Sequence, residues 1–113
     1  MELKVSSSSQ GDHTVVAVSG EIDLYTAPRL QGELSTAVMG EGPARVVVVD
    51  MAGVEFCDST GMNVLLAALR RARERGGDLM LAGPRPAVRK ILQVTGLESV
   101  FTVLDDPAAM AGQ

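Results

Sequence analysis

The side chains best placed for chemistry in this sequence are Asp58-Ser59-Thr60-Gly61. The valines at 46–49 precede them, and an unbroken β-branched run reads as a strand buried on both faces. After them Met62, Leu65, Leu66, Leu69 and Ala72 recur at helical spacing and share one face. Asp58, Ser59 and Thr60 therefore fall between a strand and a helix. Each is of a type whose side-chain oxygen accepts from the free N–H groups of a first helical turn. A hydroxyl is thus presented at the positive end of a helix dipole. Such a place suits a phosphate, either free or carried covalently by the hydroxyl itself. The plainer reading of Ser59 is a helix N-cap and nothing more.

Other reactive groups do not converge. His13, the one histidine, falls in or beside a turn and reads as solvated rather than as a catalytic base. Cys57 ends a strand with no basic neighbour to activate it, so it reads as a small buried hydrophobe. The sequence holds no Cys/His cluster for a transition metal and no glycine-rich nucleotide loop. These absences predict a chain that is not an enzyme and needs no cofactor. Arg70, Arg71, Arg73 and Arg75 crowd the end of the central helix. Diluted by Glu74 and Asp78, they read as a solvated face that complements the negative helix terminus. A docking patch for an acidic partner is the sharper alternative.

Something must hold these groups in place. A chain of 113 residues is expected to form one domain, and at this size it buries about two-thirds of its unfolded surface. With 46% hydrophobic residues and only 3% aromatics, the core is aliphatic. A net charge of −4 argues against nucleic acid as a partner, because phosphate binding needs a basic surface. A single cysteine excludes an internal disulfide and fits a reducing compartment. No apolar run approaches the ~20 residues that span a bilayer, and the N-terminus lacks a signal core. A cytoplasmic protein without a membrane partner is the expectation.

The patterns predict strands over 2–6 and 14–19, joined by a polar turn over 7–12. The serines at 7–9 belong to that turn. A connection over 20–28 follows, with Thr26 as N-cap and Pro28 in the first turn of a helix. Leu30, Leu34, Ala37 and Val38 face inward on that helix, and residues 40–43 stop it. Next come a strand over 45–50, the central helix over 59–75 and a strand over 78–82. A helix over 86–94, with Val88, Ile91 and Leu92 inward, ends at Gly96. A strand over 100–103 and a short helix or tail after about 106 complete the chain. The order is β-β-α-β-α-β-α-β-α. Strand–helix–strand units require parallel neighbours, and the first hairpin adds an antiparallel pair. The fold class is α/β: a single domain over 1–113 with a mixed, mostly parallel sheet and helices packed on it.

The run Gly20-Glu21-Ile22-Asp23-Leu24-Tyr25-Thr26-Ala27-Pro28, the motif Asp58-Ser59-Thr60-Gly61 and the later Thr95-Gly96-Leu97 resemble the bacterial anti-sigma factor antagonists, which are stand-alone STAS domains. The resemblance spans nearly the whole chain in element order and spacing. It implies a partner switch. The unmodified protein binds an anti-sigma factor that is also a serine kinase, and so frees the sigma factor. Phosphorylation by that kinase releases the antagonist, and a serine phosphatase reverses the mark. Carried over by position, the acceptor is Ser59, and Asp58, Thr60 and Gly61 shape its loop. Glu21, Asp23, Tyr25 and Thr26 lie on a neighbouring loop and share the partner surface. Met62-Asn63-Val64 stands where the family commonly has Leu-Gly-Val, so Asn63 adds an amide near the acceptor. Cys57 replaces a larger apolar residue. A STAS subunit of a transport or stress-sensing complex, docking without phosphorylation, is the alternative reading.

Overall fold

The computed structural model describes residues 2–10, 12–40 and 46–106. Among the described residues five strands form one sheet in chain order: β1 (Leu3–Gln10), β2 (His13–Ile22), β3 (Val46–Cys57), β4 (Asp78–Ala82) and β5 (Thr102–Leu104). β1 runs antiparallel to β2, and the remaining neighbours are parallel. Three helices make the crossovers: α1 (Ala27–Val38), α2 (Ser59–Glu74) and α3 (Pro86–Thr95). When strand order follows chain order, crossovers of one hand place every helix on the same face. The core shows this arrangement. Val16, Val18, Val47, Val49, Leu79 and Leu81 project from one side of the sheet into a single cluster. Leu30 and Leu34 of α1, Leu65 and Leu69 of α2, and Val88 and Leu92 of α3 meet them there. Val48 is buried as well, as an unbroken valine run predicts. The expected fold class, mixed sheet and element order through β5 stand; the expected terminal helix lies outside the described residues.

Several boundaries differ from the pattern reading. The serines at 7–9 are paired strand rather than turn, with Ser7 opposite Val16 and Ser9 opposite Thr14. Backbone hydrogen bonds set that register, and an edge strand tolerates polar side chains. His13 is not a solvated turn residue. It is buried at the start of β2, where pairing with Val46 begins, and its Nδ1 lies 3.4 Å from Asp12 Oδ1. Residues Gly20 to Ile22 continue β2 instead of forming a connection. Gly20 takes φ +102°, a conformation that side chains disfavour, beside a register shift against β3. β3 runs on to Cys57 through Met51 and Val54, both buried. A 3₁₀ turn (Leu97–Ser99) follows α3, and the last strand covers Thr102–Leu104 rather than 100–103, because Phe101 N–H still donates to Leu97 C=O. α3 ends at Gly96 with φ +78°, as anticipated.

The arginine cluster is occupied by its own fold. Arg73 pairs with Asp78 at 3.2 Å and also donates to Val100 C=O. Arg75 donates to Gly40 C=O, and Arg71 reaches Ser35 Oγ. These contacts favour the solvated-face reading over a docking patch.

Candidate functional site

β2 and β3 end side by side, with Ile22 paired to Cys57. One further bond, Asp58 N–H to Ile22 C=O at 3.1 Å, ties together the two loops that leave them. Asp58 then caps α2. Its backbone is extended, and its Oδ1 accepts from Gly61 N–H at 3.0 Å. The N-cap is therefore Asp58, and Ser59 is the first helical residue. Ser59 is exposed, and among the described residues nothing engages its hydroxyl. The backbone amides of Ser59 and Thr60 occupy first-turn positions that lack intrahelical partners. The result is an accessible alcohol beside free donors at the positive end of a helix.

Gly61 is buried for a steric reason. A Cβ there would lie 2.5 Å from Ile22 Cγ2 and 2.7 Å from Cys57 Sγ. Both neighbours are fully buried at the strand ends. Gly61 thus lets the helix start press onto the sheet, which fixes where Ser59 projects. Cys57 fills the space beneath. Burial, reinforced by the charge of Asp58, pushes its thiol up to about 12. The thiolate is unavailable near neutral pH, so Cys57 serves packing here and not nucleophilic chemistry.

The loop after β2 is built by Asp23 and Thr26. Asp23 is only 7% exposed, and its Oδ1 accepts from Tyr25 N–H at 2.9 Å and Thr26 N–H at 3.0 Å. Thr26 Oγ1 accepts from Asp23 N–H at 2.9 Å and donates to Glu21 C=O at 2.9 Å. Thr26 occupies the N-cap position of α1, but its hydroxyl does not cap that helix. Turned back into the loop, it completes a latch with Asp23. The latch pushes Leu24 (64% exposed) and Tyr25 (87% exposed) into solvent. Of the loop residues expected on a shared surface, Tyr25 is displayed, while Asp23 and Thr26 work from inside. Glu21 pairs in register with Phe56, which is itself 45% exposed.

A groove of about 330 Å³ opens beside Ser59 between α2 and α3. Phe56, Met62, Leu66, Ile91 and Leu97 give it apolar walls. Asp58, Asn63 and Thr95 supply its polar atoms. Leu24 and Phe56 escaped the sequence reading. Their signal was faint: an apolar residue in a turn-rich loop, and an aromatic next to the end of a strand. Among the described residues no group of acidic, histidine or cysteine side chains is arranged to hold a metal. No helix is long and apolar enough to cross a membrane.

The family model described as "Mlab, STAS domain" matches residues 5–105. The anti-sigma-B factor antagonist of Listeria monocytogenes is 33% identical over 101 residues, covering 89% of this chain and 87% of that protein. The protein of the same name from Staphylococcus aureus is 28% identical over 103 residues, covering 91% and 94%. The crystal structure of an anti-sigma factor antagonist from Mycobacterium paratuberculosis superposes with a TM-score of 0.85 at 29% identity. The match covers 96% of this chain and 90% of that one.

Proposed function

Because this chain belongs to the STAS domain family, we propose that it is an anti-sigma factor antagonist whose grip on its partner is switched at Ser59. In the unmodified state the surface around Ser59 binds an anti-sigma factor that is also a serine kinase, and the sigma factor goes free. The kinase then transfers the γ-phosphoryl group of ATP to Ser59 Oγ. The new O–P bond forms as the bond to the β–γ bridging oxygen breaks, ADP leaves, and a base of the kinase takes the hydroxyl proton. A serine phosphatase restores the alcohol. This chain is the substrate and not the catalyst in both steps, and it works in the cytoplasm, where its partners are.

The observation that carries this reading is the placement of Ser59: exposed, at the first position of α2, on a start held by Asp58 and Gly61. Phosphorylation adds about −1.5 to −2 of charge and three acceptor oxygens. The helix terminus tolerates that group, so the fold persists. The docking face does not tolerate it. Phe56 lines the groove beside Ser59, and Leu24 and Tyr25 are exposed on the adjoining loop, so a partner packed over these apolar groups must desolvate a hydrated dianion. A penalty of about 3 kcal/mol weakens binding more than a hundredfold.

Incubation with the candidate anti-sigma kinases of the source organism and Mg-ATP, followed by intact-mass measurement, tests the reading. One phosphate is gained by the wild type and none by Ser59→Ala. An unchanged gain in Ser59→Ala, or no gain with any of those kinases, sinks it. A second reading, a docking module of a transport complex, is supported by the likeness to a sulfate transporter family protein from Wolinella succinogenes, at 26% identity and a TM-score of 0.73. It predicts that Ser59→Asp binds its partner as well as the wild type does.

A further inference from the structure

Asn63 stands one helical turn beyond Ser59, and both line the same groove. Residues four apart on a helix are neighbours, with Cβ atoms about 5–6 Å apart. Their side chains also lean toward the helix N-terminus, which brings the Asn63 carboxamide back toward residue 59. Asn63 is exposed, and among the described residues its amide has no hydrogen-bond partner. A carboxamide has two N–H donors, and a phosphoserine has three acceptor oxygens. We propose that Asn63 is a positioning residue for the phosphorylated state: its Nδ2 donates to the Ser59 phosphate and holds it across the mouth of the α2–α3 groove. This rests on Ser59 being the phosphate acceptor.

Held there, the phosphate covers the apolar walls at Phe56, Met62 and Leu66 as well as adding charge. Glycine or alanine at 63 offers no donor, and the phosphate then swings into solvent. The charged neighbours define what a titration will read. Asp58 precedes the acceptor, and Glu21 sits opposite Phe56 on β2. Both acids disfavour the dianion. Across the groove, Lys90 and Glu98 adjoin Ile91 and Leu97 in sequence, with opposite signs. The Asn63 donor and the first-turn amides favour the dianion.

The test uses the full chain with phosphoserine installed at position 59 during translation, so no kinase is needed. Phosphorus NMR titrations compare the wild type with Asn63→Ala and Asn63→Gln, with far-UV circular dichroism as a fold control. The phosphate of the wild type is expected to have a lower second pKa than that of Asn63→Ala, with roughly threefold weaker proton affinity. Asn63→Gln recovers most of the difference, and the side-chain amide protons of Asn63 move when phosphate is present. Identical titrations of wild type and Asn63→Ala overturn the assignment, even where a kinase phosphorylates Ser59. Conversely, the expected titration from a chain that no kinase modifies upholds the phosphate contact and overturns the partner switch.

Discussion

Replacing Gly61 by alanine sets two effects of opposite sign against each other. Alanine is the better helix former, by up to about 1 kcal/mol in a helix interior. Propensity alone therefore predicts a more stable protein. The structure predicts the reverse, because the new methyl would stand 2.5 Å from Ile22 Cγ2 and 2.7 Å from Cys57 Sγ. Neither is the far end of a flexible side chain, and both sit on paired strand ends. Overpacking of this kind costs about 1–3 kcal/mol. Gly61 lies in the first turn of α2, where the propensity gain is smaller than in a helix interior, so a net loss of about 0.5–2 kcal/mol remains, or a fall in Tm of roughly 2–10 °C. Urea unfolding followed by far-UV circular dichroism measures it. The source of the clash is separable. Cys57→Ala removes Sγ and should recover part of the loss in the double mutant. Ile22→Val keeps Cγ2 and should recover none. An alanine variant as stable as the wild type, or equal recovery by both second mutations, refutes the close approach on which the placement of Ser59 depends.

Four further outcomes follow from the same geometry. Asp58→Ala removes the acceptor for Gly61 N–H and should cost about 1 kcal/mol in the same unfolding assay, whereas Asp58→Asn or Asp58→Ser should cost clearly less. Asp23→Asn keeps an acceptor for the Tyr25 and Thr26 amides; it should be milder than Asp23→Ala in both stability and partner affinity, and the opposite order would contradict the latch. The Cys57 thiol should react with iodoacetamide far more slowly in the native protein than in urea. Since its pKa rises from 9.0 to about 12 on folding, the unfolded chain sheds that proton first, and stability should decline between those pH values in the wild type but less in Cys57→Ala.

The central helix and the valine strand were legible because each carries an unambiguous period. Leu65, Leu69 and Ala72 admit one helical face, and Val47 to Val49 admit no one-sided strand. Ser7 to Ser9 were not legible as strand, since serine gives no alternation of polarity and only the pairing with β2 orders them. The second half of β3 was hidden by Ala52 and Gly53, whose composition suggests a turn. Gly53 is there because a Cβ would come within 2.6 Å of Ser19 Cβ, a constraint that belongs to the neighbouring strand. At the site, the Ser59 hydroxyl and its helix start could be read locally. The groove could not, because Ile91 and Leu97 reach it from a distant part of the chain. The roles of Asp23 and Thr26 were also out of reach, since residue type alone does not tell a displayed polar group from an internal one.

The sequence has no tryptophan and a single tyrosine, and that tyrosine stands exposed on the loop tied to the start of the Ser59 helix. The protein therefore carries an intrinsic optical label at the place where a partner would land. Near-ultraviolet emission from Tyr25 should follow arrival and departure of a bound protein in real time, with almost no background from the interior. A partner free of tryptophan and tyrosine would allow the encounter to be timed without attaching any dye.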